Sequence, residues 1–472
     1  MQTVNTWCVN VIYVGNTTVK IKRNYGYLCN SCGEIANRWE GRCPNCGDWN
    51  SLEENLSTKI KEHQNNIRIG DIIPPMPLNT LEIPKQHRVF TGNSELDRVL
   101  GGGIFPGSLI LLGGEPGIGK STLTLQLAGD LSSKGDDVIY CSGEESPEQL
   151  SLRANRLKIS GNKISIVNET NVLNIIDTID KHHPTLAIVD SVQTLWDEDV
   201  QGVAGSPGQV RNAVHQLMAF CKKTGITILL IGHVTKDGGI AGPMTLEHMV
   251  DVVLYMEGEK YGDYRIIRGI KNRFGPSNEI GLFTMSEEGL KIVDAPNRAF
   301  INNSSLLASG NVITVTLEGS RPLLLEVQAL TAPSYYGIPR RTASGFDISR
   351  LNLLLAVLEK RANIVCGNYD VYLNIVGGIR VSDPSADLAV LIALASSLLD
   401  KPFAKDKVAI GEVGLGGEIR GASRLEARIS EASKLGIREA LIPRCENKRH
   451  IKGINLVEIT NLKDALVYIE RN

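Results

Sequence analysis

At 472 residues the chain is too long for one ordinary core, and about three domains are expected. A hydrophobic fraction of 42% with 22% charged residues is that of a globular protein, and no apolar run approaches the ~20 residues that span a bilayer, so no membrane is expected as a partner. The formal net charge of −2 does not advertise nucleic acid, so any such site must be a local patch.

Residues 1–24 carry no usable periodicity and read as a lead-in. Their short apolar patch, Trp7 to Val14, has no positive residue ahead of it, so a signal peptide is not expected and the cytoplasm is the expected location. Nine cysteines in such a chain point to reduced thiols or metal ligands rather than disulfides. Four of them form Cys29-x-x-Cys32, ten intervening residues and Cys43-x-x-Cys46, within a module at 25–52. Each pair sits in a tight knuckle, Cys-Asn-Ser-Cys-Gly and Cys-Pro-Asn-Cys-Gly, that can aim two thiolates at one tetrahedral Zn²⁺. Four thiolates leave no open position, so this zinc would be structural. Binding on the order of 10–16 kcal/mol would fold a module too poor in apolar residues to fold by itself. A redox pair or free buried thiols are the blander alternatives. Cys8, Cys141, Cys221, Cys366 and Cys445 are scattered and read as ordinary thiols.

Residues 53–84 are polar, then proline-rich at Pro74, Pro75 and Pro77, and read as a linker. Over 85–297 strand and helix patterns alternate, which predicts a parallel sheet. Within it Gly114-Glu115-Pro116-Gly117-Ile118-Gly119-Lys120-Ser121 fits the P-loop pattern G-x-x-x-x-G-K-[ST]. The run Leu109–Leu112 reads as the strand entering the loop, and Thr122–Leu131, with Leu123, Leu127 and Leu131 at helical spacing, as the helix leaving it. The glycines let successive N–H groups turn inward on a phosphate, and the helix N-terminus adds positive charge. Lys120 can then reach the β/γ-phosphates and Ser121 can ligate Mg²⁺, so residues 114–122, through Thr122, are the expected ATP contacts.

Further strand ends carry chemistry of their own, because ligands in an open α/β sheet sit beyond the carboxyl ends of the strands. Asp137–Cys141 leads to Glu144 and Glu145, either of which could orient the attacking water as general base. Thr185–Val189 ends at Asp190, suited to hold Mg²⁺ through water. Ile226–Ile231 ends at His233, placed to sense the γ-phosphate. Each alone could be a solvated loop charge. The glycine-rich stretches Trp196–Gln209 and Val234–Pro243 could contact a polymer or be plain surface loops. After the strand Arg265–Ile270 comes Lys271-Asn272-Arg273-Phe274-Gly275, two cations that could present a positive tip to phosphate, with a charged hairpin as the alternative.

The four-cysteine module, the Gly114–Ser121 loop, the Lys271–Gly275 pentapeptide and the C-terminal region together resemble the bacterial RadA/Sms family of DNA recombination and repair proteins, over about residues 25–470. The resemblance implies an α/β fold: a RecA-like P-loop ATPase core with an N-terminal zinc module and a C-terminal Lon-protease-like α/β domain. It also implies ATP hydrolysis coupled to movement on single-stranded DNA, and branch migration of recombination intermediates alongside the RecA recombinase in a homo-hexameric ring. Lys271 and Arg273 would reach the nucleotide of a neighbouring subunit. Residues 1–24 fall outside the pattern.

Residues 298–472 supply the Lon-like part, the likeness running from Ser309. Pro322–Leu330 resembles its opening strand and Ser349–Val357 its first helix. Ser382-Asp383-Pro384-Ser385-Ala386-Asp387 lies where Lon carries its serine, and Gly411 through Arg428 where it carries its lysine base. Here that part reads Ser423-Arg424-Leu425-Glu426-Ala427-Arg428, with no lysine before Lys434. Ser385 is therefore expected to cap a helix beginning near Ala386, and no peptidase activity is expected. The excess of basic residues from Arg420 to Lys452 could form a phosphate-binding stripe or a solvated helix face. An ATP-dependent protease and an ATP-switched scaffold remain the rival readings.

Overall fold

The computed structural model describes residues 11–14, 17–20, 27–36, 38–54, 88–233, 245–258, 264–293, 300–301, 308–335, 337–377, 379–404, 406–445 and 451–470. Part of the lead-in is paired: Val11–Val14 and Thr17–Lys20 form an antiparallel hairpin. The cysteine module is a three-stranded antiparallel sheet with Tyr27–Cys29 between Ile35–Ala36 and Leu52–Glu54. Its last strand takes in Glu53 and Glu54, at the start of the expected linker. The rest of that linker, and the stretch Val234–Pro243 apart from His233 before it, lie outside the described residues.

The middle of the chain builds one nine-stranded sheet. In chain order its elements are α1 (Ser94–Val99), β1 (Leu109–Gly114), α2 (Lys120–Ser133), β2 (Val138–Ser142), α3 (Pro147–Arg156), β3 (Ile164–Val167), α4 (Val172–His182), β4 (Leu186–Asp190), α5 (Pro207–Thr224), β5 (Thr227–His233), α6 (Thr245–Met249), β6 (Val252–Glu257), β7 (Tyr264–Asn272), β8 (Ile280–Ser286) and β9 (Gly289–Ile292). The strand order is β9-β8-β7-β6-β1-β5-β4-β2-β3. From β6 to β3 all pairs are parallel, and β7 to β9 extend the sheet as an antiparallel meander. Helices cover both faces, so β1, β2 and β4 are buried along their whole length and read as unbroken apolar runs rather than alternation. Local signals set the helix starts. The Asn93 and Asn171 side chains cap α1 and α4, and Ser146 with Gln149 closes a capping box on α3.

The C-terminal domain is a second, mixed sheet. Its elements are β10 (Asn311–Glu318), β11 (Arg321–Pro333), β12 (Arg341–Ser344), α7 (Ile348–Ala362), β13 (Tyr369–Ile375), α8 (Asp387–Leu399), β14 (Lys407–Ala409), α9 (Leu425–Lys434), β15 (Glu439–Pro443), β16 (Asn455–Ile459) and α10 (Leu462–Glu470), with strand order β12-β13-β11-β10-β14-β15-β16. Helix α8 is buried continuously from Asp387 to Ser396 because it is apolar on every face. Ser385 does not cap it, contrary to the sequence expectation. The N-cap of α8 is Ala386, with no side-chain cap, because a 3₁₀ turn over Pro384–Ala386 leads into it and the Ser385 hydroxyl is taken up by Arg428. Asp383 caps that turn, accepting from the Ser385 N–H at 3.0 Å, and also accepts from Leu317 N–H at 3.0 Å.

The two domains share a core. Ile266, Ile280 and Leu282 of the meander pack in one cluster with Leu323, Leu325 and Val327 of β11. Across the same junction Arg321 pairs with Glu95 at 2.7 Å, both nearly buried. No helix among the described residues is long and apolar enough to cross a membrane.

Candidate nucleotide site and metal cluster

The P-loop leaves β1 at Gly114, in register with His233 at the end of β5 and Met256 near the end of β6. A Cβ on Gly114 would fall 2.7 Å from the Met256 carbonyl oxygen, so this position admits only glycine. Gly117 turns with φ +76, in the left-handed region open to glycine. Lys120, 4% exposed, donates to the Gly114 carbonyl at 2.8 Å and the Glu115 carbonyl at 3.0 Å. Burial lowers its pKa, while Asp190 and Glu144 pull it back up.

Asp190 ends β4 opposite Ser142 of β2. Burial raises its pKa, and the Ser121 and Tyr140 hydroxyls lower it. Tyr140 donates to Oδ2 at 2.8 Å, whereas Oδ1 is buried with no hydrogen-bond partner among the described residues. An ionisable oxygen so placed, beside the P-loop serine, fits a hydrated Mg²⁺, which would satisfy it.

The two adjacent glutamates separate cleanly. Glu144 Oε1 accepts from the Ser191 hydroxyl and faces His233 Nε2 at 3.0 Å. Burial pushes Glu144 up, but those hydrogen bonds and the nearby positive charge of Lys120 more than offset it, so its carboxyl sits below the usual range. Because the Lys120 ammonium faces His233 Nδ1 at 3.3 Å, that nitrogen accepts and Nε2–H donates to Glu144. Glu145 instead pairs with Arg153 of α3. The sequence did not single out Ser191, Tyr140 or Arg153. Ser191 was open to suspicion as the residue after a strand-end aspartate, but nothing marks the other two.

The pentapeptide lies at the other end of the sheet. Asn272 is in register with Val252, four residues back along β6 from the level of the P-loop, about 13 Å of extended strand. Lys271 Nζ is tied to the carbonyls of Glu247, Val250 and His248 at 2.7, 2.8 and 3.3 Å, and burial together with Arg273 lowers its pKa. Phe274 stacks on Phe105, centroids 4.1 Å apart. Among the described residues the Arg273 side chain, 48% exposed, pairs with the Asp251 carboxylate alone, at 3.4 Å.

In the ribbon the sulfurs of Cys29, Cys32, Cys43 and Cys46 lie within 4.8 Å of one another, with Cys29–Cys46 and Cys32–Cys43 at 3.6 Å. A tetrahedron with metal–sulfur bonds of about 2.3 Å has edges of about 3.8 Å. Gly33 and Gly47, φ +74 and +75, return their N–H groups to the Cys29 and Cys43 carbonyls at 2.8 and 3.0 Å, so the two knuckles are copies of one turn. Burial raises the Cys29 thiol, yet Ser51 and the backbone N–H groups of Cys32 and Ser31 hold it at about 6; burial pushes Cys32 up to about 12. The four cannot all ionise without a cation among them.

Residues 27–54 match the Rubredoxin metal binding domain, 79–239 the AAA domain, and 360–468 the Lon protease (S16) C-terminal proteolytic domain. The DNA repair protein RadA of Bacillus subtilis is 44% identical over 93% of this chain and 97% of its own length. That of Listeria monocytogenes is 43% identical over 95% and 98%. The chain belongs to the RadA family of DNA repair proteins. A KaiC-like protein from Pyrococcus horikoshii, at 19% identity, covers 44% of this chain and 99% of its own with a TM-score of 0.38. The RadA-family chain thus joins a zinc ribbon, a RecA-like P-loop ATPase core and a Lon-like α/β domain.

Within the Lon-like domain of this RadA-family member, Ser385 accepts a hydrogen bond from Arg428 of α9 at 2.6 Å. Arg428 is fully buried, pairs with Asp383 at 2.6 Å and donates to the Val315 carbonyl at 2.7 Å.

Elemental analysis of the purified protein should return one metal ion per chain, lost in the double variant Cys29→Ser, Cys32→Ser. Retention of the metal in that variant would rule out the cluster as its holder. Thermal melting of the ATPase core should be unchanged by the loss.

Proposed function

We propose that this DNA repair ATPase moves on single-stranded DNA and promotes branch migration of recombination intermediates in the cytoplasm, alongside the RecA recombinase, as a homo-hexameric ring. The observation that carries this reading is the position of Arg273. It is a half-exposed cation at the end of the sheet away from its own P-loop, which favours a nucleotide held by another subunit as its target. In such a ring each site is completed by a neighbour, so turnover follows the arrangement of subunits around a strand.

ATP would lie along residues 114–122, the Lys120 ammonium exchanging loop carbonyls for β/γ-phosphate oxygens. Mg²⁺ held by Ser121 and, through water, Asp190 would neutralise charge developing on the phosphates. Glu144 takes the general-base role because Ser191 and His233 orient it and keep it ionised; Glu145 is engaged with Arg153. Arg273 from the next subunit would stabilise the transferring phosphoryl group, with Lys271 bracing the backbone beside it. The ribbon would hold Zn²⁺ as a fold-making ion, four thiolates leaving no position for substrate.

Peptidase chemistry is not part of this reading. A serine needs a base to take its proton, and a guanidinium stays protonated and cannot accept one. The Arg428–Asp383 pair holds that guanidinium on Ser385.

The first test is ATP turnover with and without single-stranded DNA. Stimulation of several-fold is expected; equal rates would favour the switched scaffold, and casein cleavage lost in Ser385→Ala would favour the protease. A second test separates the glutamates. Glu144→Gln should lower turnover by about 10²-fold or more with ATP still bound, and Glu145→Gln by no more than about threefold. Because the Glu144 pKa is depressed, the deprotonated base persists below the ordinary carboxylate range, and wild-type kcat should hold down to acidic pH before falling. The opposite ranking of the two variants would contradict the assignment.

A further inference from the structure

The turn between β7 and β8 follows directly on the pentapeptide, and it is also where the ATPase core meets the Lon-like domain. Four consecutive residues of the turn between β10 and β11 engage the core there. Glu318 pairs with Arg268 of β7. Gly319, φ +61, lies so close that a Cβ on it would fall 2.5 Å from the Asn278 carbonyl oxygen. Ser320 donates its N–H to Glu279 Oε1 at 2.9 Å. Arg321 pairs with Glu95, whose Oε2 also accepts from Leu282 N–H at 2.8 Å.

Glu279 is the centre of this contact. It is 4% exposed, and its carbonyl accepts from Gly269 N–H at 2.9 Å, so side chain and backbone both fix the turn. On the other flank, Asn272 donates to the Leu100 carbonyl at 3.1 Å and Phe274 is stacked on Phe105. Arg273 is therefore an exposed tip between two anchored segments, one of them anchored by the other domain. A cation that must meet a reacting phosphate needs a fixed position, since a misplacement of about 1 Å can cost on the order of 10²-fold.

We infer that the Lon-like domain is a positioning element for the trans cation. The Glu318–Arg321 turn clamps the β7–β8 turn, and Glu279, through the Ser320 N–H, is the positioning residue that sets where Arg273 points. This rests on the reading of Arg273 as a residue that acts on a neighbour's nucleotide. It gives a protease-derived domain a part in ATP turnover that needs neither a nucleophile nor contact with the nucleotide.

The experiment is steady-state ATP turnover of the full chain on single-stranded DNA, resolved into kcat and KM. Glu279→Ala removes the acceptor and should lower kcat about tenfold with KM for ATP within about twofold. Glu279→Gln keeps an acceptor for Ser320 and should retain at least about half of kcat. Gly319→Ala disturbs the contact from the Lon-like side and should reproduce the kcat loss of Glu279→Ala, again at nearly constant KM. In an Arg273→Ala background, Glu279→Ala should add no further loss, because a residue acting through Arg273 has nothing left to position. A further loss of about tenfold in that background, wild-type kcat in Glu279→Ala, or a Glu279→Gln variant as slow as Glu279→Ala would each overturn the inference. Wild-type kcat in Arg273→Ala alone would overturn the trans reading beneath it, which keeps the two failures distinct.

Discussion

Lys120 carries a charge that burial disfavours and that only its surroundings make tolerable. Two loop carbonyls accept from it, His233 faces it, and the carboxylates of Asp190 and Glu144 raise its pKa against the desolvation that lowers it. The same three side chains are the ends of three neighbouring strands or the loops after them, so the sheet itself delivers the counter-charge. Each member depends on the others. Asp190 is raised by burial and by the Glu144 charge, and Glu144 is held down by the Ser191 and His233 hydrogen bonds. A phosphate entering this site meets a cation already at its edge, which has only to exchange the Gly114 and Glu115 carbonyls for phosphate oxygens.

Sheet geometry then decides what the chain can and cannot do alone. Parallel strands send β1, β2, β4 and β5 out at one end, where the nucleotide chemistry collects. The antiparallel return of β7 carries the pentapeptide to the other end. Within one subunit the P-loop and Arg273 thus lie at opposite ends of the sheet, which is what the proposed trans role requires. The Lon-like domain sits against the pentapeptide end, with a shared apolar cluster and buried ion pairs, and within it the buried Arg428 is bonded to Ser385. On the proposal above, a domain built this way acts as a brace.

Much of this was legible in the sequence, for local reasons. A P-loop, two Cys-x-x-Cys knuckles and apolar runs ending in Asp190 or His233 are short patterns whose physics is contained in a few neighbours. Choosing between Glu144 and Glu145 was not possible, because adjacent residues share every pattern and only Arg153 and Ser191, brought in by folding, tell them apart. Sequence alone makes Ser385 a helix cap, since its partner Arg428 is 43 residues away and helix spacing says nothing about its reach. In the sequence Glu279 is one charge in a turn, since its partner Ser320 belongs to another domain. The pentapeptide was recognisable by type, but its separation from the P-loop required the strand register.

The claim on which the account turns is that each nucleotide is completed by a neighbour's Arg273. Chains carrying Arg273→Ala lack the donated cation, and chains carrying Lys120→Ala lack the receiving site, so each alone should hydrolyse ATP only at a low residual rate. In rings assembled from equal amounts of both and shown to be mixed, about a quarter of the interfaces would join an intact Lys120 to an intact Arg273. The account predicts that DNA-stimulated turnover reappears on mixing, in proportion to those interfaces. Mixed rings as inactive as their parents would contradict it.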